Sequence, residues 1–468
     1  MDQAGLPTQA DGSGETPHFV PYELVLHDKP YNRLWQLWYL ARNPIDIWVK
    51  HHFEQLVVLG PSLVGKMAVV SDPAGIRHVL VDNAANYAKD PLQLRVLSSG
   101  APPGAAPGLL IASGEQWRTA RRTLAPLFTP KRVSTLAATM HKTAAAHVEK
   151  WLTNGNRALE IDREMTGLTY DILSATLFSN ALAGSGKAFE NQLSILLNSI
   201  GQIHPFDVFN APGWLPRFGK GAGVKARLFF EGAMRQLLQT RIAESETGKP
   251  LPDDLLSALI LARDPETGNG LGHEEIVANL FTFIAAGHET TARALTWTLY
   301  LLSHAPSWES RCIDEALHAP DDPALWLEAM PAIRAAFEEA MRLFPPAPML
   351  SRIAGSDDFI CGHAITVAPW LVHRHRRLWE NPDAFVPERF MPGHREQIDR
   401  FAYLPFGGGP RVCIGQVFAL QEAVIVLASI LQKLRLRHDG PAPQPLHRIT
   451  LRPHRPIDMT WEPHTALT

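Results

Sequence analysis

Three cysteines in 468 residues, Cys312, Cys361 and Cys413, are too few and too scattered for a disulfide framework. Their odd number fits a reducing cytoplasm. A basic excess is also missing. The 44 Lys and Arg stand against 47 Asp and Glu, a net charge of -3, which argues against a dedicated nucleic-acid binder. The start carries no export signal: residues 1–17 are polar and small, with Asp2, Asp11 and Glu15 where a signal peptide would be basic and then apolar. No run reaches the ~18 apolar residues that a membrane span needs. The longest, Ile276 to Gly287, is interrupted by Asn279 and Thr282 and stopped by His288-Glu289. There is no repeat at solenoid or propeller periods. What is present is ordinary globular composition, 46% hydrophobic and 19% charged, in a chain long enough to bury a large core. The expectation is a cytoplasmic protein with no transmembrane anchor.

Apolar residues three and four apart predict helices over Gln116 to Leu127, Lys131 to Leu152, Glu164 to Phe178, Gly186 to Ile203 and Gly223 to Glu246. The strongest pattern runs from His273 to Ser303, before Pro306, and at 1.5 Å per residue would be ~45 Å long. Strand patterns are few and short: Gln55 to Val58, Met67 to Val70 and Ile365 to Val367. Two Pro- and Gly-rich stretches, Ser98 to Gly108 and His204 to Gly221, read as lid or binding loops.

Chemistry concentrates in Phe406-Gly-Gly-Gly-Pro-Arg-Val-Cys413-Ile-Gly415, which leads into a helical pattern from Gln416 to Leu434. The glycines and Pro410 permit a tight turn with close backbone approach. Cys413 stands at the mouth of the helix, where free N–H groups favour a thiolate. Zinc would need neighbouring Cys or His ligands, and no CxxC spacing exists. A single thiolate suits an axial ligand of haem, with Arg411 offering its guanidinium to a haem carboxylate. An inert buried thiol is the plain alternative.

Within the long helix, Ala286-Gly287-His288-Glu289-Thr290-Thr291 places a glycine and an acid–alcohol pair in apolar surroundings. Gly287 leaves room for a ligand to approach the backbone, and Thr290 can bond back to the Ala286 carbonyl or open it to a guest. The plain alternative is a self-satisfied Thr and a core ion pair. The segment begins like a zinc-protease HExxH, but Ala292 replaces the second ligand. Glu339 and Arg342 share a helix face and can pair; Trp117 and Arg121, four apart, also share one face, by themselves an amphipathic anchor and a surface charge.

Phe406, Gly409, Arg411, Cys413 and Gly415 fill every defined position of the pattern Phe-x-x-Gly-x-Arg-x-Cys-x-Gly, and this segment resembles the haem-binding loop of the cytochrome P-450 family. The resemblance extends from about Pro21 to Pro463, with the motifs in the family's order. It implies a mainly α fold with a minor β region. Residues 1–20 would be a flexible N-terminal segment and 21–465 a single haem-thiolate monooxygenase domain. Haem b would lie between the long distal helix and the helix after Cys413. Ala286, Gly287, Glu289 and Thr290 would then sit over the haem, with Glu289 and Thr290 delivering protons to dioxygen. Arg389, in Pro387-Glu-Arg-Phe390, would join Glu339 and Arg342 in a structural triad, and Trp117, Arg121, Arg352 and Arg411 would contact the propionates. The chain is similar to soluble bacterial-type members, although Arg411 stands where many of those carry His. Ala368-Pro369 also departs from the family's usual Gly-Thr turn.

The implied activity is insertion of one oxygen atom from O2 into an apolar organic substrate. Phe283, Ala286 and Pro348 to Leu350 are candidate pocket residues. No GxGxxG follows Gly415, so electrons would come from a ferredoxin or other external donor, received near Arg118, Arg122 and Arg400. A peroxide-using peroxygenase would not need the Glu289–Thr290 pair. A non-catalytic haem sensor would need a signalling or DNA-binding segment, and none is evident.

Overall fold

The computed structural model describes residues 18–62, 65–98, 101, 104–180, 186–200, 204–208, 220–356, 358 and 364–463. Cys361, residues 1–17 and the middles of both Pro- and Gly-rich loops lie outside these. The 31-residue helix His273–Ser303 matches its sequence pattern at both ends. Its first turn carries Glu274 and Glu275, which favour the positive end of the dipole, and the Glu275 carboxylate accepts the Gly272 N–H at 2.8 Å. It stops at Ser303 because Pro306 cannot continue it and instead opens the next helix, Pro306–Leu317. This long helix packs against Ile161–Phe178, Gly221–Glu246, Pro331–Leu343 and Gln416–Leu431, and their apolar faces form one continuous core.

Two expected helices are shorter or broken. Lys131 to Leu152 divides into Pro130–Ser134 and Ala137–Asn154, the second ending at Gly155 with φ +66°. The helix after Cys413 ends at Leu431, because Leu434–Arg437 alternates buried and half-buried residues and pairs as a strand with Asp458–Pro463.

The main sheet has five strands in the order Val57–Ser62, Gly65–Val70, Ala364–Val367, Leu350–Ala354, Tyr87–Lys89. Its last pairing is antiparallel and sets Lys89 directly opposite Arg352. The start of the chain needs one correction. Residues 18–20 were expected to be flexible, yet Phe19 stacks on His304 with centroids 4.6 Å apart, and its carbonyl accepts the Phe385 N–H at 2.9 Å.

Candidate functional site

The loop before Gln416–Leu431 folds back on itself, with the Cys413 N–H donating to the Phe406 carbonyl at 2.9 Å. Gly407 and Gly409 hold φ of +73° and +68°, values that disfavour other residues. At Gly409 a Cβ would fall 1.7 Å from the Leu80 carbonyl oxygen, so no side chain fits there. Cys413 lies deep in the fold, yet its side chain is accessible. Burial pushes the thiol up, and the Gly415 N–H and Arg121 offset that only in part. A coordinating cation would supply the missing charge.

Arg121 acts on Cys413 directly, and Arg411, two residues before it, acts on a second pair of cations, Lys89 and Arg352. Among the described residues none of them has an acidic partner. Arg411 lies over the Trp117 ring at 4.3 Å and donates to the Ala112 carbonyl at 3.0 Å. Lys89 donates to the Leu110 carbonyl, and Arg352 to that of Ser351. Like charges opposite one another in a sheet are destabilising, and here the register imposes such a pair. Burial, then Arg411 and Arg352, lowers the Lys89 pKa to about 7. Burial and Arg411 lower that of Arg352 to about 10. Such a cradle is built for an anionic group, and the two carboxylates of haem b beside a thiol ligand fit it. Lys89 was missed in the sequence because only strand register brings it opposite Arg352.

The long helix presents mixed faces. Thr282, Ala286 and Thr290, four apart, are half-buried, while His288, Glu289 and Thr291 are buried. The Thr290 hydroxyl donates to the Ala286 carbonyl at 2.7 Å. Glu289 turns the other way. It accepts Nε and Nη2 of Arg293 at 2.9 and 3.2 Å and the Thr450 hydroxyl at 3.0 Å. Burial raises this carboxyl, but Arg293 more than reverses the effect and brings it to about 2. The i,i+4 spacing of Glu289 and Arg293 was a readable signal for this pair. Gly287 also differs from expectation. A Cβ there would meet Leu173 at 3.5 Å, so its bare side faces the helix Ile161–Phe178. Phe283 packs edge-on against Phe128, centroids 5.2 Å apart, within the core.

Glu339 and Arg342, both fully buried, pair through two bonds of 2.6 and 2.7 Å. Arg342 also donates to the carbonyls of His373, Pro382 and Ala384, while Glu339 accepts the Val386 N–H at 2.8 Å. Arg389 is the outlying member. Its Nε is 3.6 Å from Glu339, and its Nη2 serves the carbonyls of Glu380 and Asn381. His373 links this network to the Cys413 loop. It donates from Nδ1 to the Arg342 carbonyl and accepts the Leu404 N–H at Nε2, 2.7 Å away. Burial and Arg342 hold it neutral, with a pKa of about 3. No sequence motif marked it.

Two of the arginines expected to receive an electron donor are already engaged. Arg118 pairs with Glu115 at 2.8 Å, and Arg122 with Asp264 and Glu266, each at 3.0 Å. Arg400 is exposed beside Phe401.

A family model described as Cytochrome P450 matches residues 58–461. Cyclooctatin synthase of Streptomyces melanosporofaciens is 31% identical, over 76% of this chain and 77% of its own length. A cytokinin hydroxylase of Arabidopsis thaliana is 30% identical, over 76% of this chain and 72% of its own. The crystal structure of the cytochrome P450DA heme domain superposes with a TM-score of 0.75 at 24% identity, over 88% of this chain and 90% of that one.

Proposed function

Because the chain belongs to the cytochrome P450 family and is a haem-thiolate monooxygenase, we propose that Cys413 is the axial ligand and that the cations around it seat the haem propionates. Haem b with an axial thiolate supplies activation of dioxygen and insertion of one oxygen atom into the substrate. The observation that carries the site assignment is the accessible Cys413 beside Arg121 and the linked cations Arg411, Lys89 and Arg352, with no acidic partner for any of them among the described residues. Arg411, stacked on Trp117, is oriented by the ring and keeps donors for a carboxylate. The Phe406 carbonyl holds the Cys413 N–H, the Gly415 N–H reaches the sulfur, and the Glu339–Arg342–His373 network fixes the segment entering that loop.

On the distal side, the half-buried Thr282–Ala286–Thr290 stripe faces the substrate. Thr290 holds a proton at its Oγ, bonded to the Ala286 carbonyl and able to turn toward an incoming acceptor. Glu289, locked by Arg293, keeps the helix in place rather than giving up a proton. The substrate is an apolar organic molecule, and the electrons come from a ferredoxin or similar external donor. The same reading places the enzyme in the cytoplasm, where Cys312 and Cys413 stay unbonded. Among the described residues no helix is long and apolar enough to cross a membrane.

The test is NAD(P)H-dependent oxygen uptake by the haem-loaded protein with a surrogate ferredoxin and reductase. A library of apolar compounds is screened in parallel for a spectral shift of the haem. Oxygen uptake that depends on the redox proteins and rises with a shifting compound supports the reading. Turnover with peroxide alone and none with the redox proteins would favour the peroxygenase.

A further inference from the structure

One buried side chain of the long helix has no role so far. Asn279 is 1% exposed and stands beside the buried Ile276, Leu280 and Phe283, where an amide is costly unless both its ends are bonded. Both are. Its Nδ2 donates to the Glu275 carbonyl at 2.8 Å, and its Oδ1 accepts the Leu109 N–H at 2.9 Å. The first bond stays within the helix. The second reaches across to the end of the first Pro- and Gly-rich loop.

Gly108 makes the same junction tight from its own side. It is buried, and a Cβ there would overlap the Thr282 hydroxyl and lie 2.5 Å from the Ala278 carbonyl. Glycine alone lets the two backbones come so close. The residues that follow form a single turn, in which the N–H groups of Ile111 and Ala112 both donate to the Gly108 carbonyl at 3.0 Å. Two other carbonyls of the turn are taken by cations of the cradle. Lys89 donates to that of Leu110, and Arg411 to that of Ala112 at 3.0 Å. Five residues therefore hold the long helix at one end and two of the cations at the other.

We propose that Gly108–Ala112 is a strap that sets the propionate cations and the pocket wall together, with Asn279 as its positioning residue. The proposal rests on the haem-thiolate reading above, which seats the propionates on these cations. Lys and Arg heads on long stems have many rotamers to lose. One bond each to the strap restrains Lys89 and Arg411 and leaves them further N–H groups for a carboxylate. The same strap abuts Thr282, the first residue of the Thr282–Ala286–Thr290 stripe. A strap displaced at Asn279 therefore changes how the cations meet the propionates and where the pocket ends. Asn279 itself bonds to neither cation, so an effect on the propionates has to travel through the strap.

The experiment compares the haem-loaded wild type with Asn279→Leu and Gly108→Ala by resonance Raman spectroscopy and by titration with imidazole and 1-alkylimidazoles of increasing chain length. Leucine keeps the volume and removes both amide bonds, whereas alanine at position 108 pushes the strap off Thr282 with Asn279 intact. Both variants should shift the haem propionate bending modes and leave the iron–thiolate stretch in place. Loss of one such bond corresponds to a roughly 2- to 10-fold change in affinity, expected for the long-chain alkylimidazoles and not for imidazole itself. Asn279→Asp keeps an acceptor for the Leu109 N–H and should lie closer to wild type than Asn279→Leu. Glu274→Gln, which removes an exposed pair with Arg235 on the same helix, should change neither readout. Propionate modes unchanged in both Asn279→Leu and Gly108→Ala overturn the proposal. An Asp variant as disturbed as Leu, or an equal shift in Glu274→Gln, does so too. The strap is also read without haem, from hydrogen exchange of residues 108–112 in the full chain. Exchange should be roughly 2- to 10-fold faster in Asn279→Leu than in wild type, and equal exchange overturns the anchoring. A missing thiolate-type Soret band in wild type would instead count against the haem-thiolate reading and leave the strap to be judged by its exchange.

Discussion

Replacing Arg293 by Met should destabilise the protein by about 3 kcal/mol at neutral pH. The Glu289 carboxylate now holds two bonds from Arg293 and one from Thr450, with the ion-pair side chains 10% and 6% exposed. Burial works against that charge, yet Arg293 brings the carboxyl from 4.5 down to about 2. At ~1.4 kcal/mol per unit, a depression of this size corresponds to about 3 kcal/mol of stability. The sign follows from the direction. A folded pKa below the unfolded one stabilises fully above pH 4.5, and the contribution is lost as pH falls toward about 2. Methionine fills the space of the arginine stem but strands Glu289, which then protonates to escape a buried, uncompensated charge. Urea unfolding followed by tryptophan fluorescence measures this. Wild type should lose this contribution between about pH 4.5 and pH 2, while Arg293→Met is weaker at neutral pH and flatter across that window. The double variant Glu289→Gln/Arg293→Met should recover much of the loss, because no charge is left stranded. An Arg293→Met protein as stable as wild type at neutral pH, or a double variant no better than the single, would refute the reasoning.

Cys413→Ser should abolish the red-shifted Soret band of the reduced carbon monoxide complex, while Cys312→Ser leaves it; a retained band in Cys413→Ser would remove the axial assignment. Arg342→Met should cost roughly 3–5 kcal/mol and most of the haem incorporation. Arg389→Ala should cost clearly less, because its contact to Glu339 is 3.6 Å and its other bonds go to backbone carbonyls; melting of the two variants in the opposite order contradicts the network. Thr290→Ala should still bind haem, but more of the NAD(P)H consumed should appear as hydrogen peroxide, and unchanged coupling with a turned-over substrate would leave Thr290 merely self-bonded. Lys89, at about 7 in the bare cradle, should regain its proton when propionates arrive. Haem uptake by the apo-protein just above neutral pH should therefore absorb protons, seen as buffer-dependent heats that shrink in Lys89→Met; equal heats in all buffers would refute it.

What could be read in the sequence was whatever the backbone demands locally. The long helix carried its own boundaries, an acidic first turn and a proline three residues past Ser303. The Cys413 loop was legible because positive φ at Gly407 and Gly409 has to be written as glycine. Lys89 and Arg352 lie hundreds of residues apart, and only the antiparallel register makes them neighbours. His373 looks like one histidine among others in Val372-His-Arg-His375 until Leu404 folds over it. The end of the last helix was misplaced for a related reason. Leu434 fits a helical pattern, but the pairing offered by Asp458–Pro463 is stronger than one more turn.

The acid–alcohol motif shows where residue type stops being informative. Glu289 and Glu422 are both carboxyls, both deep in the core, on two helices that pack together. Burial pushes each toward the neutral acid. Only the neighbours decide the outcome. An arginine one turn along the same helix keeps Glu289 charged at neutral pH. Glu422 has no cation paired with it among the described residues, and burial pushes it well above the ordinary carboxylate range. The motif that draws attention in the sequence therefore contains the carboxyl less able to carry a proton. The one that burial pushes toward the neutral acid lies nine residues beyond Cys413, in a helix whose pattern is mostly apolar. A rule that reads charge from residue type alone would treat the two acids alike, whereas their neighbours set them apart.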